Sequence, residues 1–382
     1  MATDVSSFKN AYKTPIAASF PQKAYVSFGD QCFDFVAVGI DLRYGTNPHQ
    51  PFAAYRPVVG DLSVGDLNML KGGKAGLSLT NMQDMSQAIN ILKYFDKRAC
   101  VAMKHLNPCG FKVEQSEFAP LDFVYNEAKR CDPRSHFGAV VGFNTLVDRS
   151  TAEAIMGSFV ECVIAPDYTA EALEVLKRTE GTTKLNNSIR VAKVNNLGAT
   201  PKFVGDDIRG KYNIRNLADG TLTFEVPYLT RIRSAADFVI DPMIPADGKK
   251  ILTDVVALTK PTAQQLEDGL TSWYLNINVR SNGVVFVKDG MALAVGTGEQ
   301  ERIGAVEKAI EKALKKGHNL EGSVMSSDGF FPSRDCIDEV AKYGVRGVVW
   351  PAGSMNDASV IQAANEHKIA LMATLERCFL HI

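Results

Sequence analysis

The chain has 382 residues, with 42 basic and 43 acidic side chains, a net charge of −1, 46% hydrophobic and 22% charged residues. These proportions suit a globular protein of two domains at roughly 100–200 residues each, and near-neutrality argues against a dedicated nucleic-acid surface, which needs a basic excess. No apolar run approaches the ~20 residues that span a bilayer, and the opening residues Met1 to Ser7 carry neither a basic nor an apolar signal region. The seven cysteines, at 32, 100, 109, 131, 162, 336 and 378, are scattered without a CxxC pair. That reads as reduced thiols in a cytoplasmic protein, not as a disulfide frame or a zinc cage.

Residues 1–35 read as an N-terminal extension of mixed polarity. Beyond them, short apolar runs alternate with helical patterns. Strands are expected at 99–103, 138–143 and 162–165, and helices at 86–97, 151–159 and 169–179. The polar stretch 181–216, rich in Asn, Gly and Lys, is the best candidate for a domain boundary or surface insertion. Thr262 and Gln265 then form a capping box before Leu266, Leu270 and Trp273. Residues 284–287 and 292–295 flank Lys288-Asp289-Gly290 as a hairpin. Residues 300–316 make an amphipathic helix with Ile303, Val306, Ile310 and Leu314 on one face and Gly317 as its stop. Strand 324–326, helix 334–342, strand 347–350, helix 357–367 and strand 369–373 complete an α/β rhythm. No internal sequence repeat proves a duplication.

Four loop segments follow strand ends, where α/β proteins place their ligands. Arg43 to Gln50 concentrates an arginine, a phenol, an imidazole and amides. It is either a solvated surface turn or a rigid loop that presents a bidentate cation to an anion such as phosphate. Lys104-His105-Leu106-Asn107-Pro108-Cys109-Gly110 ends an apolar strand. Alternation sends Lys104 and His105 to opposite faces, so they share a site only if the strand breaks there, and Pro108 and Gly110 favour a break. Such a pair combines an acid/base group with a fixed positive charge. Pro108-Cys109 matches half of a zinc deaminase signature, but the second cysteine and any H-x-E are missing, which excludes that enzyme. Gly296 to Arg302 runs from strand to helix without a complete dinucleotide fingerprint. Ser327 to Asp335 places Phe330 and Phe331 before Pro332, either as core packing or as a cover for a planar heterocycle.

Together these segments resemble the transformylase domain of the bifunctional aminoimidazole carboxamide ribonucleotide (AICAR) transformylase/IMP cyclohydrolase family. The words that carry the resemblance run in order: Leu42-Arg43-Tyr44-Gly45 with Asn47-Pro48-His49-Gln50; Lys104-His105 with Asn107-Pro108-Cys109-Gly110; Asp132-Pro133 leading to Phe137-Gly138; Glu161 before Val163-Ile164-Ala165-Pro166; Ser281-Asn282; Gly298 to Arg302; Ser327-Asp328 with Phe330-Phe331-Pro332; and a tail with Arg377. They cover residues 36 to 382. The resemblance implies two tandem three-layer α/β/α units of cytidine-deaminase-like topology without zinc, at 36–220 and 221–382. The bifunctional relatives carry a cyclohydrolase domain before the Arg-Tyr-Gly segment. Because that segment starts here at residue 43, the chain is expected to be a stand-alone transformylase that leaves ring closure to another protein.

The implied reaction moves a formyl group from 10-formyltetrahydrofolate to the 5-amino group of AICAR. By the family's pattern His105 accepts the proton, Lys104 is the cation beside the developing charge, and Asn282 orients the amine and carboxamide. Arg43, Tyr44 and Arg377 would hold the phosphate, Glu161 the ribose, and Gly138 and Phe330 the rest of the nucleotide. Phe137, Arg302, Ile303, Pro332, Ser333 and Cys336 would meet folate. Ser333 and Cys336 stand where the family has an aromatic and an Asn or Gly, so weaker folate binding is expected. A homodimer with active sites at its interface is implied, and the resemblance leaves room for a structural monovalent cation. A non-catalytic AICAR-binding regulator is the alternative from another class. A cysteine hydrolase built on Cys109 and His105 is a third reading.

Overall fold

In the computed structural model, which describes residues 19–58, 64–73, 75–179, 186–195, 197–240 and 257–381, alternating residues near the start pair as strands. β1 (Lys23–Phe28) and β2 (Gln31–Ala37) form an antiparallel hairpin, and β3 (Tyr55–Pro57) adds to β2. The expected extension, 1–35, is corrected over its described part, because its limit falls inside β2. Residues 1–18 lie outside the described residues.

β4 (Asn68–Gly72) opens the main sheet, and α1 (Leu79–Leu92) follows it. The expected helix at 86–97 starts earlier because Ser78 caps it. Ser78 Oγ accepts from the Asn81 N–H at 3.2 Å, and Asn81 Oδ1 accepts from the Ser78 N–H at 3.1 Å. The box was missed because Asn stands where Glu or Gln is usual. Next come β5 (Ala99–Lys104), β6 (Asn107–Val113), α2 (Leu121–Cys131), α3 (Pro133–His136), β7 (Ala139–Phe143), α4 (Arg149–Met156), β8 (Val160–Ala165), α5 (Ala170–Lys177) and β9 (Arg190–Lys193). The polar stretch 181–216 is therefore not a boundary in its described part. It supplies β9, which pairs with β8 and β4 inside the sheet. Its residues 181–185 and 196 lie outside the described residues. β10 (Asn213–Asn216) and β11 (Leu222–Glu225) form a separate exposed hairpin.

The later elements are α6 (Ala263–Asn276), β12 (Val284–Lys288), β13 (Met291–Gly296), α7 (Arg302–Lys315), β14 (Val324–Ser327), α8 (Asp335–Ala341), β15 (Gly347–Trp350), α9 (Asp357–His367) and β16 (Ala370–Ala373). Thr262 caps α6 through the expected box with Gln265. On α7 the buried face is Ala305, Val306, Ala309, Ile310 and Ala313, whereas Leu314 is half exposed, which corrects the expected stripe.

The main sheet has 11 strands among the described residues, in the order β16-β15-β14-β12-β13-β6-β5-β7-β8-β9-β4. Read outward from the central β13–β6 pair, the halves match: β6-β5-β7-β8-β9 on one side and β13-β12-β14-β15-β16 on the other. The directions match too. In each half the hairpin and the next pair are antiparallel and the outer pairs are parallel. The two halves thus repeat one strand order and one set of directions, although no repeated words mark them in the sequence. Helices cover both faces, so the strands are apolar on both sides, as in β7 and β12. Between them lies a core with Met85, Phe111, Phe286 and Trp350 fully buried.

Candidate functional site

The strand that carries Lys104 breaks immediately after it. β5 and β6 are joined by a two-residue turn, His105-Leu106, with Lys104 paired to Asn107. Both turn residues are left-handed, at φ +53 and +66, the signature of a type I′ hairpin. This is how the alternation problem is solved: Lys104 stays on the strand while His105 leaves it. Pro108 and Gly110 are not the breakers. They lie within β6, where the register slips so that Met103 faces Pro108 and Ala102 faces Gly110, leaving Cys109 in a bulge.

Asp84, in the middle of α1, holds this turn. Its Oδ1 accepts the Leu106 N–H at 2.7 Å, and the His105 N–H also faces it. The carboxyl is buried, which pushes its pKa up, while those N–H groups and the charges of His105 and Lys104 pull it down. Lys104 Nζ donates to Gly138 O at 2.8 Å and Phe137 O at 3.0 Å. Gly138 is left-handed, at φ +72, and a Cβ there would lie 3.2 Å from that ammonium. Phe137 is exposed, with its ring 4.9 Å from that of Phe159.

A second cluster joins the Arg43 loop to β8 and β9. Arg43 Nη2 stands 3.7 Å and Arg190 Nη1 3.4 Å from Glu161 Oε1. Arg190 Nε donates to Gly76 O at 2.6 Å. The Arg43 guanidinium lies 4.5 Å from the centre of the Tyr44 ring. Burial and then the neighbouring Arg190 lower the Arg43 pKa, so this pair of cations around one carboxylate favours a further negative charge. The buried Cys162 thiol is pushed up mainly by burial and feels Arg190, Glu161, Asp84 and Arg43, so the two clusters share one electrostatic neighbourhood.

Asn107 connects the turn to the second half. Its Oδ1 accepts from the Arg280 N–H at 3.1 Å and from Thr297 Oγ1 at 3.0 Å. The Ser281–Asn282 peptide that follows is cis. Asn282 Nδ2 donates to Glu299 O at 2.8 Å and Gln300 O at 3.1 Å, which settles the amide's orientation and turns Oδ1 into the group free to accept. Beyond it, Ser281 Oγ donates to Asp328 Oδ2 at 2.5 Å, and Asp328 pairs with Arg302. Phe379 lies between two guanidiniums, 4.8 Å from Arg377 and 5.7 Å from Arg302.

The structure thus ties Lys104 to Gly138 and Phe137, carries His105 on the turn next to it, gathers Arg43, Tyr44 and Glu161 in a second cluster, and links Asn282 through Asn107. Phe330 and Pro332 are exposed and Ser333 is half-buried. Three folate-side expectations change. Arg302 is buried in its ion pair with Asp328. Ile303 packs on the core. Cys336 is fully buried, so its side chain faces the core and not a ligand surface. Asn356, on the neighbouring loop, donates to Pro332 O at 2.5 Å and braces that turn. Cys109 is no nucleophile: burial drives its thiol pKa up and its Sγ donates to Ala102 O.

Sequence reasoning missed Asp84 and Arg190. Arg190 sits in a polar stretch with no local signal. Asp84 had a signal in spacing: Ser78, Asp84 and Lys104 recur as Thr262, Asp268 and Lys288 at identical intervals.

A family model described as AICARFT/IMPCHase bienzyme matches residues 1–312. The chain belongs to the AICARFT/IMPCHase bienzyme family. Among similar curated proteins, all described as bifunctional purine biosynthesis protein PurH, that of Persephonella marina is 36% identical over 89% of this chain and 59% of its own length. That of Caldicellulosiruptor saccharolyticus is 34% identical over 92% and 62%. That of Brachyspira hyodysenteriae is 34% identical over 100% and 67%. The chain spans about six-tenths of the length of the first of these relatives. A solved Thermotoga maritima structure, described as a diaminohydroxyphosphoribosylaminopyrimidine deaminase/reductase, aligns with 29% of this chain at 26% identity. Its TM-score of 0.23 carries no argument about the fold. Among the described residues no helix is long and apolar enough to cross a membrane.

Proposed function

We propose that this chain transfers the formyl group of 10-formyltetrahydrofolate to the 5-amino group of AICAR. The observation that carries this reading is the Lys104–His105 turn beside the Arg43–Glu161–Arg190 cluster, in a chain of the bienzyme family. The substrate amine is conjugated with its ring and is a poor nucleophile. Its attack on the formyl carbon makes an ammonium and an oxyanion in one tetrahedral species. His105 takes the proton from nitrogen, and the Lys104 ammonium stabilises the oxyanion. Asn282 Oδ1 accepts a hydrogen from the substrate amine or carboxamide, because its Nδ2 is already committed. The oxyanion then re-forms the carbonyl as the bond between formyl carbon and folate nitrogen breaks, and that nitrogen leaves with the proton held by His105, giving formylated AICAR and tetrahydrofolate.

The twin arginines and Tyr44 receive the nucleotide phosphate, and Glu161 the ribose. The folate rings lie against exposed Phe137 and the Pro332-Ser333 turn. A homodimer supplies Arg377 and Phe330 from a second copy. The protein incubated with both substrates should give formylated AICAR, followed by chromatography that also reads inosine monophosphate. His105→Ala should lose at least ~10²-fold in turnover, the range for a lost general base, with AICAR binding retained. AICAR binding without transfer by the wild type would leave a regulatory binder as the better reading.

A further inference from the structure

The hairpin turn that carries His105 has a twin. In the second half, β12 and β13 are joined by Asp289-Gly290, at φ +50 and +70, almost the angles of His105 and Leu106. The two 14-residue helices that precede the hairpins, α1 and α6, each carry an aspartate as their sixth residue. Asp268 Oδ2 accepts the Asp289 N–H at 2.9 Å, and its Oδ1 accepts the Gly290 N–H at 2.7 Å. Asp84 makes the second of these contacts with its own turn, its Oδ1 accepting the Leu106 N–H at 2.7 Å. Both carboxylates are buried.

The twins differ in chemistry. Asp-Gly is the residue pair that a type I′ turn favours. His-Leu is not: neither residue is glycine, and a leucine at φ +66 is uncommon and strained. The Asp-Gly turn keeps its form by composition. The His-Leu turn needs an outside hold, and Asp84 supplies one by accepting the Leu106 N–H. An imidazole carried on a turn free to relax to negative φ would lose its fixed direction.

We propose that Asp84 is a positioning residue for His105: its buried carboxylate holds the turn left-handed and so sets the imidazole in register with the Lys104 ammonium. This rests on the proton-acceptor role given to His105 above. The fold provides the control, because Asp268 does the same structural work on a turn without chemistry.

The test pairs Asp84→Ala with Asp268→Ala in the full chain. Each variant should lose hydrogen-exchange protection at its own turn amides, His105 and Leu106 or Asp289 and Gly290. Only Asp84→Ala should lose turnover, by ~10²-fold for a misplacement of about 1 Å, with AICAR affinity unchanged. Asp84→Asn, which keeps one acceptor oxygen, should fall between and serves if the alanine variant does not fold. Adding Leu106→Gly to Asp84→Ala should restore part of the turnover, since glycine holds that φ unaided. Wild-type turnover in Asp84→Ala, or protected turn amides in it, overturns the proposal. Equal turnover losses in both alanine variants also overturn it, by showing a purely structural effect. If the wild type transfers no formyl group, the functional reading fails, and the exchange arm still decides whether Asp84 holds the turn.

Discussion

Gly138→Ala probes how the Lys104 ammonium is placed. Gly138 sits at φ +72, where an L side chain costs about 1–2 kcal/mol. The new methyl would meet Lys104 Nζ at 3.2 Å and Phe159 Cε1 at 3.1 Å. The ammonium ends a flexible side chain, so it gives way before the packed ring does. Its hydrogen bonds to Gly138 O and Phe137 O, 2.8 and 3.0 Å, are then stretched or lost. Lys104 is only half-buried, so their loss adds about 1 kcal/mol and not the full strength of a shielded charged pair. The sum is about 2–3 kcal/mol of stability, read as a shift in urea midpoint. An ammonium moved by about 1 Å from the oxyanion costs ~10²-fold in turnover. Gly205→Ala is the control. Gly205 is also left-handed, at φ +101, but a Cβ there meets only Arg233 Nη2 at 3.9 Å. It should lose similar backbone stability and keep full formyl transfer. Gly138→Ala with wild-type turnover, and a midpoint shift matching the control, would refute the claim that this glycine sets the ammonium's position.

Further outcomes follow from other contacts. Arg190→Ala leaves Glu161 and Gly76 O short of a partner and should weaken AICAR binding by roughly tenfold, about 1.4 kcal/mol, without changing the affinity of the dephosphorylated nucleoside. A variant that still favours the phosphate as strongly as wild type moves the phosphate site elsewhere, and Arg43→Ala should behave alike. His136 is buried, and burial, then Lys129 and Lys104, lower its pKa from 6.5 to about 4. The folded state therefore prefers the neutral ring, so stability is intact above pH ~6.5 and falls as pH drops towards 4, by on the order of 3 kcal/mol. His136→Phe should flatten that acid limb in urea titrations, and an unchanged slope would remove His136 as its cause. Cys336→Asn should destabilise by about 1–3 kcal/mol, because it places an amide in an apolar core. Ser333→Phe alone should lower the Michaelis constant for 10-formyltetrahydrofolate, and no change in it would take the Pro332-Ser333 turn out of the folate site.

Local signals in this chain were readable without coordinates. The bounds of β15 and α9 were legible from apolar runs and turn residues, and the α6 cap from Thr262 and Gln265, because propensity, capping and periodicity act within a few positions. The order of short words from Arg43 to Arg377 was enough to place the chain in its family, and the family model agrees. What the one-dimensional text did not hold was distance between elements. Arg190 looked like part of a polar insertion until β9 joined the sheet beside β8 and brought it to Glu161. Cys336 looked like a ligand contact until α8 turned it into the core. The alternation of β5 placed Lys104 and His105 on opposite faces, and the turn, held by a carboxylate from α1, takes His105 off the strand altogether. Strand pairing, helix docking and buried charge are satisfied by partners far along the chain, so the fold alone decided which of these side chains meet.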